Sequence, residues 1–354
     1  MTSKKASDWT RQRLERFKDG AVLPAHLLSL KSDKSFDKHR MRALTRYYLD
    51  AGAGGVAVGV HTTQFAIRSK GLYEPVLKQV AETVAEFGDD GTLKVAGVTG
   101  KTEQALGEAR IARALDYDAA LLNVAAFAGV SEEEILTHCR AIAAVMPIIG
   151  FYLLTEVGGI VLSRDFWKQF CEIENVVGIK VAPFNRYRTL DVAHGIVQAR
   201  AEHRVSLYTG NDDHIVLDLL TPMTVPRGKE MVEVRFRGGL LGHWAIWTKK
   251  AVELFERIKN VSKGDSVPME LLALDSIVTD CNRAIYDSLH DFRGCIPGCH
   301  EVLKRQGLFE GTWCLDPNEV LSPGQAQLID QVYLDYPDMN DDEFVRANLN
   351  RWLS

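Results

Sequence analysis

One lysine stands inside an apolar stretch of the sequence, where a charge is costly. Lys180 interrupts the run VVGIKVAP at positions 176–183, which otherwise contains no polar side chain. Such a run is typical of a strand buried on both faces, and lysine is almost never fully buried without a partner. Desolvation lowers the pKa of an ammonium group, and a neutral amine can attack a ketone to form a Schiff base. The alternative is a lysine paired with a nearby carboxylate, and the residues alone do not separate the two.

Hydroxyl groups that could assist such chemistry occur in or after two other apolar runs. Tyr152, in the run PIIGFYLL, could relay a proton to and from a carbinolamine. Its alternative role is that of a core aromatic residue with a satisfied hydroxyl. Thr62 and Thr63, which follow Gly59, offer hydroxyl and backbone N–H donors suited to a carboxylate. The alternative for them is β-branched residues at a strand end.

Eight apolar runs of strand length must position these side chains, and amphipathic segments separate most of them. The runs are 21–30, 54–60, 93–100, 118–125, 147–154, 176–183, 204–210 and 238–244. The predicted helices are 37–51, 73–87, 102–116, 131–145, 164–173, 188–201 and 248–260. Strands followed by helices in strict order predict an α/β protein with a closed (β/α)8 TIM barrel. A doubly wound sheet is the alternative, but no G-x-G-x-x-G or P-loop follows any run.

Three regions are predicted along the chain. Residues 1–20 form an N-terminal helical lead-in, residues 21–262 form the barrel with the catalytic centre, and residues 263–354 form a C-terminal helical extension packed on it. Within the extension, the pattern predicts helices over 267–290, 298–306 and 323–335.

The stretch 221–237 is too long for an ordinary loop between the last two strands. We expect it on the catalytic side, as a lid or substrate-contacting excursion, although a surface elaboration is the alternative.

Ser131, Ser163 and Asp191 are predicted helix N-caps.

Composition excludes several classes of function. The chain has 354 residues, with 42 basic and 47 acidic side chains, so its formal net charge is −5. No basic surplus is available for nucleic acid, and no apolar stretch is long enough for a membrane span. The charged N-terminal segment lacks the apolar region of a secretory signal. Together with six scattered cysteines, these features predict a cytoplasmic protein without a disulfide framework.

Polar residues at the C-terminal ends of the predicted strands are the candidates for chemistry, because barrel enzymes place their active sites there. They are His61, Thr62, Thr63, Tyr152, Lys180 and the sequence Gly210-Asn211-Asp212-Asp213. Asp212 and Asp213 are interpreted as N-cap residues rather than as metal ligands. His243 could touch a substrate or cap the barrel, and the sequence does not decide between them.

A metal site is not expected. The spacing Cys295-x-x-x-Cys299-His300 invites a zinc interpretation, but no second ligand pair lies nearby at matching spacing. The glycines and the proline around these residues favour a tight turn instead.

The candidates, taken together, resemble a known family. The set Gly59, Thr62-Thr63, Tyr152, Gly178-Ile179-Lys180 and Gly210-Asn211-Asp212-Asp213 is similar, over roughly residues 20–260, to the dihydrodipicolinate synthase/N-acetylneuraminate lyase family of class I aldolases. The resemblance implies a (β/α)8 barrel that binds pyruvate or a related 2-oxo acid as an imine. No metal or cofactor is implied, and the partners would be this acid, a second small substrate and further copies of the chain in a homodimer or homotetramer.

Residue roles follow from the same resemblance. It implies that Lys180, Tyr152 and Thr63 are catalytic, as imine lysine, proton relay and link to the relay. The substrate-binding residues would be Gly59, His61, Thr62, Phe127, Gly210 and Asn211, with Thr62 and Thr63 holding the carboxylate.

The chain also departs from the family pattern. Its strand-five motif is Tyr152-Leu153-Leu154-Thr155 instead of Tyr-Asn-x-Pro, and no arginine follows where the synthases bind the carboxylate of aspartate semialdehyde. The loop after strand four offers Phe127 instead of the tyrosine that the synthases share between subunits. We therefore expect a second substrate that is less charged or more apolar.

Four functions remain at this point. The first is a Schiff-base lyase or aldolase acting on a 2-oxo acid, including hydratase, decarboxylase or deaminase variants. The second is an authentic 4-hydroxy-tetrahydrodipicolinate synthase, which joins pyruvate and aspartate semialdehyde. The third, a metal-dependent aldolase, is disfavoured because no set of metal ligands gathers at successive strand ends. The fourth is a non-catalytic barrel that binds keto acids.

Overall fold

Eight parallel strands form the wall of a barrel in the computed structural model, which describes residues 4–354. The strands are β1 (Val22–Pro24), β2 (Gly55–Val58), β3 (Leu93–Val98), β4 (Ala119–Leu122), β5 (Ile148–Leu153), β6 (Val176–Ala182), β7 (Ser206–Thr209) and β10 (Phe236–Leu241). Their hydrogen-bonded order around the wall is β2-β3-β4-β5-β6-β7-β10-β1, and a bridge between Ala25 and Ala57 joins its two ends. The predicted (β/α)8 fold is confirmed.

Helices surround the wall and continue beyond it. The helices of the barrel are α1 (Arg11–Asp19), α2 (Lys38–Asp50), α3 (Tyr73–Phe87), α4 (Thr102–Ala114), α5 (Glu132–Ala143), α6 (Arg164–Glu172), α7 (Arg186–Gln198), α8 (Ile215–Leu220) and α9 (Thr248–Val261). The C-terminal helices are α10 (Met269–Ile285), α11 (Cys295–Arg305), α12 (Gln325–Asp335) and α13 (Asp342–Trp352). Among these helices, none is long and apolar enough to cross a membrane.

Local signals account for several helix starts. The hydroxyls of Ser131 and Ser163 accept hydrogen bonds from the backbone N–H groups of Glu134 and Phe166, as expected of N-cap residues. Asp191 is not an N-cap, because α7 begins at Arg186 and Asn185 is its N-cap residue.

Two apolar layers hold the barrel together. The larger lies between the wall and the helices, and the smaller fills the inside of the wall. Adjacent residues of a strand point to opposite faces, so each strand contributes to both layers. Phe17 and Trp9 close the inner layer at the N-terminal ends of the strands, where Phe17 stacks on Tyr208 with ring centroids 4.8 Å apart.

The stretch 221–237 lies at the opposite end of the barrel from the position we predicted. It forms a hairpin of β8 (Met223–Arg227) and β9 (Glu230–Val234). Arg227 donates to the carbonyl of Val197, at the end of α7, and pairs with Glu202 at 2.6 Å. The unpredicted helix α8 carries the chain from the C-terminal end of β7 back to the N-terminal ends. The hairpin therefore enters β10 from the side away from the predicted site, and the expectation of a lid is wrong.

The C-terminal helices cover the other end of the barrel. Helix α10 packs against α8, and the segment between α10 and α11 lies over the C-terminal ends of the strands. Asp287 holds this segment, because its carboxylate accepts hydrogen bonds from the N–H of Gly294 and the hydroxyl of Ser322. The side chain of Gln325 also donates to the carbonyls of Ile285 and Gly294. These contacts fix residues 286–295 above the strand ends.

Candidate active site

A small cavity of about 90 Å³ lies at the C-terminal end of the barrel. This volume is well below the roughly 300–1,000 Å³ of sites for drug-sized ligands, so the cavity suits a small molecule. Its polar lining residues are His61, Thr62, Lys180, Asp212 and Tyr286. Its apolar side is formed by Phe151, Leu153, Leu154, Val157, Phe184 and Phe292, with the thiol of Cys295 beside them.

Lys180 extends from β6 into this cavity. Its side chain is buried, and Nζ lies 4.3 Å from the centroid of the Phe151 ring on the neighbouring strand. Within the described residues, no carboxylate forms a salt bridge with it. Burial lowers the pKa of Lys180 to about 8, although the nearby Asp212 carboxylate acts in the opposite direction. A substantial fraction of the amine is therefore neutral at mildly alkaline pH, as a nucleophile requires.

Gly210 makes room for the lysine. A Cβ atom at this position would lie 2.5 Å from Cε of Lys180 and 2.8 Å from Cβ of Ala182. Any larger residue would force the lysine side chain to move, so the glycine after β7 determines where the amine stands.

Tyr152, the predicted proton relay, does not line the cavity. The ring packs in the outer apolar layer, 5.0 Å from the ring of Trp167. Its hydroxyl donates to the carbonyl of Leu162 and accepts from the N–H of the same residue, both at 3.4 Å. The reason is strand geometry, because Phe151 faces the interior and Tyr152 must then face outward.

A register shift places phenylalanine opposite the lysine. Ile148 pairs with Val176, but Ile149 pairs with Gly178, so β6 has one extra residue at this point. Lys180 consequently pairs with Phe151 instead of Tyr152. The neighbour of the amine on β5 is an aromatic ring without a proton to transfer.

The two threonines are close to the site but their hydroxyl protons are already used. Thr62 lines the cavity and donates to the carbonyl of Ala25 at 2.7 Å, while Thr63 donates to the carbonyl of His26 at 2.6 Å. Thr63 also accepts from the N–H of Gly59, and neither Thr63 nor Gly59 lines the cavity. In this arrangement the two hydroxyls donate to backbone carbonyls instead of pointing a proton at the predicted carboxylate. They hold the turn after β2 against the end of β1.

Asn211 and Phe127 were predicted to bind substrate and do not line the cavity either. The Asn211 amide donates to Asp218 at 2.9 Å, and its oxygen accepts from the N–H of Phe184 at 3.0 Å. Phe127 packs against the ring of His138, with centroids 4.5 Å apart. Both residues shape the loops around the site.

His61, which was predicted to bind substrate, lines the cavity. Burial lowers the pKa of its imidazole to about 4, and the positive charge of Lys180 contributes in the same direction. The ring is therefore neutral near pH 7 and carries one N–H donor.

Asp212 and Tyr286 are the polar cavity residues whose role sequence reasoning missed. Helix α8 begins at Ile215, so Asp212 is not an N-cap residue. One oxygen of its carboxylate accepts from the Tyr286 hydroxyl at 3.2 Å and from the N–H of His243 at 3.4 Å. Burial raises the pKa of Asp212 to about 6, while Lys180 acts to lower it. Asp212 could be recognised as a candidate because it follows the predicted strand that ends at Gly210. No pattern in the sequence indicates that Tyr286 lies at the strand ends.

The cysteine-rich segment around α11 borders the cavity. Cys295 lines it, and His300 lies 4.0 Å from the sulfur of Cys314 in a buried position. Within residues 4–354, no group of three His, Cys, Asp or Glu side chains is arranged to hold a metal ion. His243 is buried behind the cavity, where Nδ1 contacts the Asn282 side chain at 2.7 Å.

Comparison with known proteins identifies the family. Residues 18–222 match the Dihydrodipicolinate synthetase family. The chain belongs to this family. Similar relatives include a 4-hydroxy-tetrahydrodipicolinate synthase of Moorella thermoacetica, 29% identical over 208 residues, and an N-acetylneuraminate lyase of Citrobacter koseri, 27% identical over 202 residues. The matches cover 57% and 56% of this chain and 66% and 65% of those relatives, so the chain spans just under two thirds of their length.

Solved structures of family members share the fold. A dihydrodipicolinate synthase from Oceanobacillus iheyensis superimposes with a TM-score of 0.73 at 15% identity, covering 89% of this chain and 96% of the other. The N-acetylneuraminate lyase of Fusobacterium nucleatum, solved in complex with pyruvate, gives a TM-score of 0.70 at 18% identity and covers 90% and 97%.

The buried lysine should cost the protein stability. Its folded-state pKa of about 8 lies below the roughly 10.4 of an unfolded lysine, so the unfolded state binds more protons between these values. We expect Lys180→Met to raise the free energy of unfolding at pH 7 by on the order of 3 kcal/mol. The difference should shrink as pH rises from 8 to 10.5. Urea denaturation of both proteins across this range measures it, and a pH-independent difference would contradict the assignment of a desolvated amine.

Proposed function

We propose that the protein is an enzyme that forms a Schiff base between Lys180 and a 2-oxo acid, with pyruvate as the first candidate. It then makes or breaks a bond next to the imine carbon. The observation that carries this proposal is the buried amine of Lys180, which has no salt bridge within the described residues and stands in a small cavity at the C-terminal end of the barrel. Such an amine attacks a ketone without help from a metal or cofactor.

The cavity offers a donor for the carboxylate of such an acid. His61 is neutral and lines the cavity beside Lys180, and no residue of the described chain forms a hydrogen bond with either of its ring nitrogens. An imidazole N–H can donate to a carboxylate while the lysine attacks the adjacent carbonyl carbon. The names of the relatives, a synthase and a lyase, agree with bond-making or bond-breaking chemistry in this family.

The second substrate should be apolar at the end that enters the cavity. Beyond Lys180, the lining is formed by Leu153, Leu154, Val157, Phe184 and Phe292. No arginine of the described chain lines the cavity, and Arg227 and Arg235 of the hairpin pair with glutamates at the far end of the barrel. A second carboxylate would therefore lose its charged contact. The alternatives are an authentic 4-hydroxy-tetrahydrodipicolinate synthase and, in another class, a non-catalytic barrel that binds keto acids.

Reductive trapping tests the covalent step. Pyruvate and borohydride should add one reduced adduct to the protein, mapped to Lys180 by peptide mass spectrometry. Lys180→Ala should abolish this adduct. Lys180→Arg should not restore it, because guanidinium stays protonated.

Lys94 provides a matched control for the trapping. It is also buried in a barrel strand, but it lies near the N-terminal end of β3 and pairs with Asp116 at 3.3 Å. Lys94→Ala should therefore leave the adduct unchanged. An adduct at Lys94, or none with any member of a panel of 2-oxo acids, would refute the proposal.

The outward position of Tyr152 gives a second test. Tyr152→Phe removes a hydroxyl whose two hydrogen bonds are long and lie outside the cavity. We expect the exchange of pyruvate methyl protons for deuterium in D₂O, followed by NMR, to proceed at nearly the wild-type rate. A relay residue would instead lower this rate by roughly 10²–10⁴-fold.

Specificity separates this proposal from the synthase alternative. With pyruvate and aspartate semialdehyde in a coupled assay, we expect a kcat/KM below roughly 10⁴ M⁻¹s⁻¹, which is the lower end of the range for typical enzymes. The missing charged contact alone costs about 1.5–3 kcal/mol, or roughly 10–150-fold. Apolar or aromatic aldehydes should compete better. A value above that threshold would establish the synthase activity instead.

A further inference from the structure

Schiff-base formation needs a group that moves protons, and β5 does not supply one. Phe151 faces the amine of Lys180, and Tyr152 faces the outer layer. A carbinolamine must lose its hydroxyl as water, which requires an acid beside the reacting carbon. The acid must therefore come from another element that lines the cavity.

Two polar residues of the cavity are already committed to other tasks. The Thr62 proton is donated to the carbonyl of Ala25. The His61 ring is neutral and adjoins Lys180, where it suits the substrate carboxylate. This leaves Asp212, Tyr286 and the thiol of Cys295.

Tyr286 and Asp212 form a pair in which the carboxylate is the better acid. The Tyr286 hydroxyl donates to Asp212, and burial raises the pKa of this tyrosine well above its usual value. It cannot release its proton readily, but it can orient the carboxylate. Gly242 leaves room for the Tyr286 hydroxyl, because a Cβ atom at position 242 would lie 2.7 Å from it. The N–H of His243 holds the same carboxylate oxygen.

We propose that Asp212 is the acid–base catalytic residue for the chemistry at Lys180 and that Tyr286 is its positioning residue. This inference rests on the proposed function and adds to it a proton carrier supplied from the loop after β7. The C-terminal extension takes part in the site through Tyr286, which follows α10 directly.

The proton transfers balance as follows. The neutral amine attacks the ketone carbon, and one proton moves from nitrogen to oxygen to give a neutral carbinolamine. Protonated Asp212 then donates its proton to the departing hydroxyl, so that the C–O bond breaks, water leaves and an iminium ion remains beside a carboxylate. The same carboxylate can next remove a proton from the methyl group of the iminium, giving an enamine and restoring the protonated acid.

The pH dependence follows from the two groups together. The pKa values are about 6 for Asp212 and about 8 for Lys180, so the pair holds one proton between these values. Below pH 6 the pair holds two protons, so the amine is protonated and cannot attack, and above pH 8 it holds none, so no acid is available. Between these values the reactive form is the one in which the single proton lies on Asp212. The rate should therefore be bell-shaped in pH. The titratable groups that face Asp212 are Lys180, His61, the adjacent Asp213, His243, Tyr286, Cys295 and Cys299.

Exchange of pyruvate methyl protons in D₂O tests the proposal without knowledge of the second substrate. Asp212→Asn should slow the exchange by roughly 10²–10⁴-fold and remove the alkaline limb of the pH profile. Tyr286→Phe should slow it by about tenfold and move the acidic limb to higher pH, because the lost hydrogen bond stabilises the ionised carboxylate. Asp212→Glu, which keeps a carboxylate, should recover part of the rate.

Matched variants separate this inference from simpler explanations. Asp213→Asn removes the neighbouring carboxylate, which does not line the cavity, and should leave the rate nearly unchanged. Cys295→Ser changes the remaining candidate acid of the cavity lining, and it should slow the exchange far less than Asp212→Asn does. Circular dichroism and thermal unfolding verify that each variant is folded.

These experiments distinguish a failure of the Asp212 assignment from a failure of the proposed function. If wild-type protein gives no borohydride adduct with any member of the panel of 2-oxo acids, the Schiff-base proposal itself fails. If wild-type protein gives the adduct and Asp212→Asn exchanges protons at the wild-type rate, only the assignment of Asp212 is overturned. Loss of exchange in Cys295→Ser, with Asp212→Asn active, would transfer the role to the thiol.

Discussion

The site depends on an amine that is kept out of water and away from a direct counterion. Burial of Lys180 would be unfavourable if the ammonium form had to persist, so the pKa of the group falls to about 8 instead. Two weaker interactions moderate the cost, namely the face of the Phe151 ring at 4.3 Å and the more distant charge of Asp212. A direct salt bridge would stabilise the fold better but would hold the amine protonated. The absence of one within the described residues is what leaves the amine available as the proposed nucleophile.

The fold could be predicted from the sequence because parallel strands buried on both faces leave a strong local pattern. The elements that were missed have weak or misleading patterns: α8 has six residues, α13 follows an acidic stretch, and the hairpin of 223–234 resembles a long loop. The position of the hairpin was predicted wrongly for a topological reason, because the undetected helix α8 reverses the direction of the chain. Local sequence signals identify single helices and strands. The end of the barrel at which a connection lies can be predicted only when every helix and strand before it has been detected.

The candidate site was predictable only in part, and β5 shows why. In a strand buried on both faces, polarity does not indicate which residues face inward. The register shift between Ile148 and Ile149 moves Lys180 from Tyr152 to Phe151, and a spacing of twenty-eight residues cannot reveal it. Tyr286 illustrates a second limit, because its contact with Asp212 joins residues 74 positions apart through the packing of α10. Lys180, His61 and Gly210 were found because they directly follow or interrupt apolar runs.

Lys180 and Asp212 also depend on each other in the proposed reaction. Before the substrate binds, the lysine charge favours the ionised carboxylate, and the carboxylate favours the ammonium. A single proton on the pair can therefore sit on either residue, and only the form with a neutral amine and a protonated acid can react. Once an iminium forms, its positive charge no longer depends on pH, and it holds the carboxylate ionised as a base. In the proposed mechanism, one buried carboxylate thus serves as acid before the imine and as base after it, without a further ionisable residue at β5.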